Sequence, residues 1–233
     1  MAFNLKEPNR KIHAGVILTQ GITEMLDIAS FEFFAWTHKS GVQLLNLPEE
    51  MWKDAIDFEL HWVTEDRKPA RLRSGTQVQP TDSFESCPPL DIAIMGAHDS
   101  DYKLTEAEIA FIRKVYGECS AFLTVCGGTA SLLQSGLLSG KTATFPRLFI
   151  DVMRKTAPDV NWVEKRWAND GKLWTSGALL NGLDMMRAFT VATWGGRTGM
   201  IEALLDLGGY PVRDVDYKDF EGHHYPFDGN FTY

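Results

Sequence analysis

Short apolar runs alternate with stretches of helical periodicity along most of this chain. Three of the runs suit buried strands: HAGVILT at 13–19, LDIAIMGA at 90–97 and AFLTV at 121–125. The stretch GITEMLDIASFEFFAWTH after the first run carries apolar residues at helical spacing, and so does GTASLLQSGLL after the third. Strands that alternate with helices in this way predict βαβ units and a mostly parallel sheet covered on both faces.

Turn and capping signals predict the remaining elements. FELHWVTE and KTATF read as further strands, and the Gly and Pro residues of ARLRSGTQVQPTDSF indicate a hairpin or edge excursion. Thr105 with Glu108 three residues later is a capping-box pattern, which predicts the start of an amphipathic helix. VEKRWANDGKLWTSG predicts two strands around an Asn-Asp-Gly turn, and RLFIDVMRKTA, ALLNGLDMMRAFTVATWGG and RTGMIEALLDLGG predict later helices.

These elements predict one α/β domain over residues 1–233, with its core at about 12–208. Residues 209–233 form a polar, aromatic tail without clear periodicity, which we expect to lie over the surface or over a partner subunit. The tail contains the adjacent pair His223 and His224. Because this pair has no third ligand at metal spacing, we interpret it as a surface feature and expect no metal site.

Composition narrows the possible partners and the location. The chain has 31 acidic and 23 basic residues and a formal charge of −8, which repels a phosphate backbone and argues against nucleic acid as a partner. The N-terminus lacks the continuous apolar region of a secretory signal, and no apolar run is long enough to span a bilayer. Three cysteines without CxxC spacing signal neither a disulfide framework nor a thiolate zinc site, so we expect a reducing, cytoplasmic location.

The candidate chemistry lies at Cys126, where an apolar strand meets two glycines and then a helix. In α/β folds this corner faces the ligand crevice beyond the carboxyl ends of the strands. Gly127 and Gly128 allow the sharp turn of a nucleophile elbow, and a helix N-terminus favours thiolate over thiol. The alternative is that Cys126 is a small buried hydrophobe that ends a strand. Cys87 and Cys119 lack the corner, and we interpret both as structural.

The string VCGGTASLLQSGLLSGKTAT resembles the nucleophile elbow of the ThiJ/PfpI superfamily, which has the class I glutamine-amidotransferase-like fold. Three more stretches resemble parts of that superfamily in the same order. GITEMLDIASFEFF resembles its first strand–helix junction, SFESCPPLDIAIMGA resembles the approach to its second glycine-rich loop, and RWANDGKLWTSGALLNGLDM resembles its late hairpin and helix. The resemblance covers roughly 12–196 and is nearest to the isonitrile hydratase-like branch. It implies a flavodoxin-like three-layer sandwich with a mostly parallel central sheet.

The resemblance also implies a cofactor-free site in which a cysteine attacks a small electrophilic molecule and a carboxylate from the first helix moves protons. Asp27 occupies the position that matches this carboxylate, whereas its pattern alone favours a polar residue on a helix face. The neighbouring Glu24 and Glu32 read as solvated or structural. Family members usually form homodimers, and we expect the same of this chain.

Several positions depart from the family pattern. Phe145 replaces the histidine expected shortly after the elbow, which argues against an amidotransferase or peptidase triad. Ala97 stands where a second glycine is usual, although the amides of Gly96 and Ala97 can still bind a developing anion. His98 beside it is a candidate acid/base or a solvated loop residue. Gly127 replaces the usual threonine, so the amide there remains as a donor but the hydroxyl is lost.

The resemblance, together with these residues, implies a hydratase or related lyase or isomerase; if the substrate is an isonitrile, the product would be an N-substituted formamide. Cys126 would be the nucleophile, Asp27 the proton carrier, and the amides of Gly96, Ala97 and Gly127 the anion donors. A secondary-metabolite tailoring dehydratase, isomerase or glyoxalase-like enzyme on the same site is an alternative. A noncatalytic ligand-binding or redox-sensing module is another.

Overall fold

The computed structural model describes residues 3–53 and 55–220, and within them the largest sheet has seven strands. In chain order the strands are β1 (Ile12–Ile17), β2 (Phe58–Thr64), β3 (Ala70–Arg71), β4 (Gln77–Val78), β5 (Asp82–Ser83), β6 (Ile92–Met95), β7 (Ala121–Thr124), β8 (Thr142–Ala143), β9 (Asn161–Trp162), β10 (Trp167–Asp170) and β11 (Leu173–Ser176). The large sheet has the order β10-β11-β7-β6-β1-β2-β5, while β3 with β4 and β8 with β9 form separate two-stranded sheets.

The large sheet is parallel except for the β10–β11 hairpin. This confirms the prediction of a mostly parallel sheet. The short strand predicted at KTATF is present as β8, and it pairs with β9 outside the large sheet. Because β1, β6 and β7 run in the same direction, their carboxyl ends meet at one edge, and the loops that follow them come together there.

The helices are α1 (Met25–Ile28), α2 (Glu32–Thr37), α3 (Lys39–Leu44), α4 (Glu49–Trp52), α5 (Glu106–Glu118), α6 (Gly128–Gln134), α7 (Ile150–Thr156), α8 (Asn181–Trp194) and α9 (Met200–Leu207). The long helix that periodicity predicts over 21–38 is divided, because a 3₁₀ turn at Ala29–Phe31 separates α1 from α2. α6 is shorter than predicted, since Gly136 adopts a left-handed conformation with φ +69° that ends the helix.

Two apolar layers cover the sheet, one on each face. Alternate residues of β6 divide between them: Ile92 and Ile94 pack with α8 and α9, while Ala93 and Met95 pack with α5 and α6. All four side chains are buried. The arrangement is the three-layer flavodoxin-like sandwich expected from the sequence. None of the helices in the described ranges has the length and apolar character that a bilayer span requires.

The predicted capping box at the start of α5 is confirmed. Thr105 Oγ1 accepts a hydrogen bond of 3.1 Å from the Glu108 amide, and Glu108 Oε2 accepts one of 2.8 Å from the Thr105 amide. The buried Glu108 carboxylate also accepts from the Gln20 amide at 2.8 Å and from the Tyr102 hydroxyl. The cap thus ties α5 to the loop after β1, close to the edge where the strands end.

The described part of the tail, residues 209–220, lies against β10 and α8. The Arg213 Nε donates to Asp184 Oδ1 at 3.0 Å, and the Tyr217 hydroxyl donates to Asn181 Oδ1 at 2.9 Å. The Tyr217 ring stacks on the buried Arg166 guanidinium, 4.6 Å from ring centre to Cζ. The tail therefore covers the surface of its own chain at this point, one of the two placements expected. His223 and His224 lie outside the described residues.

Candidate active site

Cys126 lies on a strained turn between β7 and α6. Its φ is +57°, a conformation that is uncommon for residues with a side chain. The Val125 amide donates to the Met95 carbonyl at 2.9 Å, so the turn begins while the chain is still bound to β6. The side chain is partly buried. This geometry matches the predicted nucleophile elbow, in which backbone strain holds the thiol above the end of the sheet.

Gly128 lets the elbow pack directly against the end of β6. A Cβ at this position would lie 2.5 Å from the Met95 carbonyl oxygen and 2.8 Å from that of Gly96. Both are backbone atoms, so no side-chain movement could relieve the contact. Gly128 is thus required by the close approach of two backbone segments, and this approach sets the position of Cys126 relative to the loop after β6.

The surroundings of Cys126 favour the thiol over the thiolate. Burial raises the pKa of Cys126 to about 12, and the negative charge of Asp27 contributes to the increase. The backbone amides of Leu179 and Gly127 interact with the sulfur and oppose the shift. The sequence indicated that the N-terminus of α6 would favour thiolate, but in the structure the loss of hydration and the nearby carboxylate outweigh that effect.

Asp27 is fully buried near Cys126. Its Oδ2 accepts a hydrogen bond of 2.7 Å from the Ala97 amide, and its Oδ1 is buried with no hydrogen-bond partner among the described residues. Burial raises the pKa of Asp27 to about 7; the Ala97 amide opposes the increase, and repulsion from Glu24 adds to it. The carboxyl group can therefore accept or donate a proton near neutral pH through an oxygen that the protein leaves unbound.

The predicted anion donors have different surroundings in the structure. The amide of Ala97 is engaged by Asp27, so it orients the carboxylate instead of remaining available to a substrate. The amide of Gly127 faces the sulfur of Cys126. Gly96 packs against Asp27, because a Cβ there would lie 2.7 Å from the Asp27 Cβ. Gly96 and Ala97 thus contact Asp27, and Gly127 contacts Cys126; their predicted role as anion donors stays a prediction.

His98 is a buried side chain and not a solvated one. Its Nδ1 lies 2.8 Å from the Asp99 carbonyl, which requires the proton to be on Nδ1. Its Nε2 is buried and has no partner among the described residues. Burial lowers the pKa of His98, so the ring is neutral at physiological pH and Nε2 carries a lone pair. The ring packs edge-on against Tyr102, with 5.5 Å between the ring centres.

The neighbouring carboxylates differ in exposure and role. Glu24 is half-buried, lies 3.7 Å from the Arg73 Nε, and its charge raises the pKa values of both Asp27 and Cys126. Glu32 is exposed on the surface. Glu24 therefore contributes to the electrostatics of the site, which the sequence did not indicate, whereas Glu32 is solvated as expected.

Phe145 occupies the position where the family pattern expects a histidine. Its side chain is fully buried and packs edge-on against Trp162, with 6.1 Å between the ring centres. Cys87 and Cys119 are also buried, and burial raises the pKa of Cys119 to about 11 and that of Cys87 to about 12. These features fit the structural role predicted for the two cysteines.

Sequence reasoning missed the loop between β11 and α8 as a part of the site. Leu179 in this loop directs its amide at the Cys126 sulfur. The loop is held by Asn181, whose Oδ1 accepts from the Ala178 amide at 3.1 Å and from the Tyr217 hydroxyl at 2.9 Å. The segment SGALLNGLD was part of the recognised pattern, but a backbone amide leaves no signal in the identity of its residue.

Comparison with known proteins identifies a matching family and a similar enzyme. A model of the DJ-1/PfpI family matches residues 44–192. Isonitrile hydratase of Pseudomonas putida is 32% identical over 155 residues, which are 65% of this chain and 66% of the hydratase, just under two thirds of that protein.

Solved structures agree in fold at lower sequence identity. A ThiJ/PfpI family protein of Pseudomonas syringae is 15% identical and superposes with a TM-score of 0.66, over 94% of this chain and 78% of that one. A cysteine-to-alanine mutant of a DJ-1 superfamily protein of Salmonella typhimurium, also 15% identical, gives a TM-score of 0.65 over 86% of this chain and 100% of that one. Together with the family match, these observations show that the chain belongs to the DJ-1/PfpI family.

Proposed function

We propose that the chain is a cysteine-dependent hydratase that adds water to a small isonitrile and releases an N-substituted formamide. The observation that carries the proposal is the pairing of a partly buried thiol with a buried carboxyl group whose Oδ1 has no partner among the described residues. Such a pair can hold one proton and deliver it to a substrate. The similarity to isonitrile hydratase over about two thirds of that protein supports the same reaction.

The first step would be addition of the Cys126 S–H across the terminal carbon of the isonitrile. Ionised Asp27 accepts the thiol proton through Oδ1 while the sulfur bonds to the carbon, and the resulting carboxylic acid gives the proton to the same carbon. The product is a thioimidate, in which carbon carries sulfur, hydrogen and a double bond to nitrogen. With a pKa of about 7, Asp27 suits both halves of this transfer.

The second step would be hydrolysis of the thioimidate. Asp27, again ionised, removes one proton from water as the water oxygen attacks the carbon, and it passes that proton to the nitrogen. As the C–S bond breaks, Asp27 removes the remaining hydroxyl proton and returns it to Cys126, and the formamide leaves with the oxygen of water. The amides of Gly127 and Leu179, which face the sulfur, stabilise the negative charge that develops on it as the bond breaks.

The test is turnover of a panel of aliphatic and aromatic isonitriles, with the formamide measured by NMR and its oxygen traced with ¹⁸O-labelled water. Cys126→Ser should remove turnover, and Asp27→Asn should reduce it by at least about a hundredfold because proton transfer is lost. Glu32→Gln is the matched control, since this exposed carboxylate should leave the rate unchanged. Full turnover in Cys126→Ser would rule out the covalent route.

A tailoring dehydratase, isomerase or glyoxalase-like enzyme would use the same pair on another substrate. The observation that favours it is Gly127, which leaves the position after the nucleophile without a hydroxyl. No consumption of any isonitrile, together with conversion of an aldehyde or a dehydration substrate that depends on Cys126, would support this alternative. The redox-sensing alternative is less favoured, because a thiol with a pKa of about 12 contains little thiolate to oxidise.

A further inference from the structure

Three side chains with metal-ligating atoms share one face of the sheet on β1 and β2. His13 and Glu59 are register partners across the two parallel strands, and His61 follows Glu59 by two residues and so points to the same side. The possible ligand atoms of all three lie within 4.8 Å of one another. The sequence expectation of no metal site rested on spacing along the chain, which does not reveal residues that only strand pairing brings together.

One ring nitrogen of each histidine faces the other histidine. His13 Nδ1 and His61 Nε2 are 3.0 Å apart, and His61 Nδ1 lies 2.9 Å from Asp82 Oδ2. The Thr81 hydroxyl donates to the same Asp82 oxygen at 2.6 Å. Because the Asp82 carboxylate accepts, His61 carries its proton on Nδ1 and its Nε2 has a lone pair. A histidine fixed in this way by a carboxylate is the usual support of a metal ligand.

The surroundings close the site on one side and open it on the other. His61 is buried, His13 is half-buried and Glu59 is exposed. On the inner side Leu90 lies over Gly15, where a Cβ would be 2.7 Å from the leucine Cδ1. The His13 backbone is fixed by a 2.9 Å hydrogen bond from its amide to Asp91 Oδ2. An ion would therefore have one imidazole held by Asp82, a second imidazole on a fixed backbone, an exposed carboxylate and access to water.

We propose that His13, Glu59 and His61 bind a divalent transition-metal ion such as Zn²⁺. The ligands would be His13 Nδ1, His61 Nε2 and a Glu59 carboxylate oxygen, with water in the fourth position. Two Zn–N bonds of about 2.0–2.1 Å at a tetrahedral angle separate the nitrogens by about 3.3 Å. His13 Nδ1 and His61 Nε2, now 3.0 Å apart, would therefore move apart by about 0.3 Å when the ion binds. When the ion binds, the proton that His13 Nδ1 donates to His61 Nε2 moves to His13 Nε2. The ion then occupies the space between His13 Nδ1 and His61 Nε2.

The proposed site is separate from Cys126. It lies along β1 and β2, whereas Cys126 lies beyond the carboxyl end of β7. Bound metal would join two adjacent strands through three side chains and stabilise the folded state over the unfolded one. Its effect should therefore appear in thermal stability, independently of the reaction at Cys126.

The test uses the full-length chain with Cys126→Ser, which removes the partly exposed thiol as a competing ligand. Zn²⁺ affinity is measured by competition with a chromophoric chelator, and Co²⁺ supplies a visible spectrum that reports tetrahedral nitrogen and oxygen ligands. His61→Gln and Glu59→Gln should each weaken binding at least about tenfold, in line with the loss of a ligand. Zn²⁺ should raise the melting temperature of the parent chain but not that of His61→Gln.

Two controls address three of the four histidines outside the proposed site. His38→Gln removes a histidine paired with Asp57 at 2.6 Å, and it should leave Zn²⁺ affinity unchanged. A double substitution of His223 and His224 to Gln should also leave it unchanged. Affinity that falls in the double variant but not in His61→Gln would overturn the proposal, and so would a Co²⁺ spectrum equal to that of the hexa-aquo ion. In the absence of metal, the two control variants should melt near the parent temperature, as measured by circular dichroism.

Discussion

The Ala97 amide donates a 2.7 Å hydrogen bond to Asp27 Oδ2, although the two residues are 70 positions apart in the sequence. The bond joins the loop after β6 to α1 and fixes one carboxylate oxygen. The second oxygen, Oδ1, is buried and has no partner among the described residues. The protein thus orients the carboxyl group through Oδ2 alone.

Asp27→Asn should stabilise the protein at pH 8 while it lowers activity. Burial raises the pKa of Asp27 from 3.8 to about 7, so the ionised form is disfavoured in the folded state. An amide at this position has no charge to bury, and we expect a gain of roughly 2 kcal/mol in the free energy of unfolding. Urea denaturation at pH 8 measures it.

The stability difference should depend on pH in a defined direction. Between about pH 4 and 7 the folded state binds more protons than the unfolded state, so stability of the parent falls as pH rises. The advantage of Asp27→Asn should therefore be largest above pH 7 and disappear below pH 4. An advantage of the same size at pH 3.5 and pH 8 would show that it does not arise from ionisation.

Asp27→Asn should also accelerate alkylation of Cys126, although it slows turnover. The carboxylate charge is one cause of the raised pKa of the thiol, and each unit by which that pKa falls gives about tenfold more thiolate. We expect iodoacetamide to react three- to tenfold faster at about pH 8.5 in the variant. Mass spectrometry of the peptide that contains Cys126 gives the rate. Glu32→Gln should react like the parent, and a slower reaction in Asp27→Asn would contradict the coupling.

Gly128→Ala should destabilise the fold and impair the site together. The added Cβ meets two carbonyl oxygens at 2.5 and 2.8 Å, so the elbow must move away from β6. We expect a loss of about 2 kcal/mol and a large fall in kcat. Gly117→Ala is the matched control, because no atom lies within 4 Å of a Cβ there and alanine favours helix α5. If Gly128→Ala melted at the parent temperature, the close approach would not constrain the elbow.

The backbone strain at Cys126 can be measured without reference to activity. At φ +57° glycine should be favoured over alanine, so Cys126→Gly should be more stable than Cys126→Ala by about 1 kcal/mol. Cys119, with φ −69°, is the control, and there alanine should be the more stable replacement. Thermal unfolding of the four variants compares the two pairs. Equal stability of the two Cys126 variants would indicate that the elbow relaxes when the side chain is removed.

Local signals in the sequence predicted most of the fold. Apolar runs indicated β1, β6 and β7, the Asn-Asp-Gly turn indicated β10 and β11, and the Thr105–Glu108 pattern gave the start of α5, because each depends on residues close together in the chain. The short strand β5 lies in a stretch predicted only as a hairpin or edge excursion. The division of α1 from α2 was not predicted, since the same apolar spacing continues through the 3₁₀ turn. The pairing of β8 with β9 was missed for a related reason: strand partners are chosen by tertiary contacts.

The candidate site was predicted in its side chains but not in its electrostatics. Cys126 and Asp27 were identified from a recognised pattern, and the structure brings them close enough for the charge of one to act on the other. The raised pKa values could not be predicted, because they follow from burial by residues distant in the sequence. The amide of Leu179 and the engagement of the Ala97 amide were missed because the backbone is the same at every residue.

The burial of Phe145 also limits which substitutions this position can accept. The ring fills a closed apolar space beside Trp162, where a histidine would be smaller, polar and unhydrated. Restoring an imidazole base by one substitution would leave a gap and bury a polar group at once. The neighbouring aromatic layer would have to change in the same step. A single Phe145→His substitution should therefore destabilise the fold and should not by itself supply an imidazole base at this position.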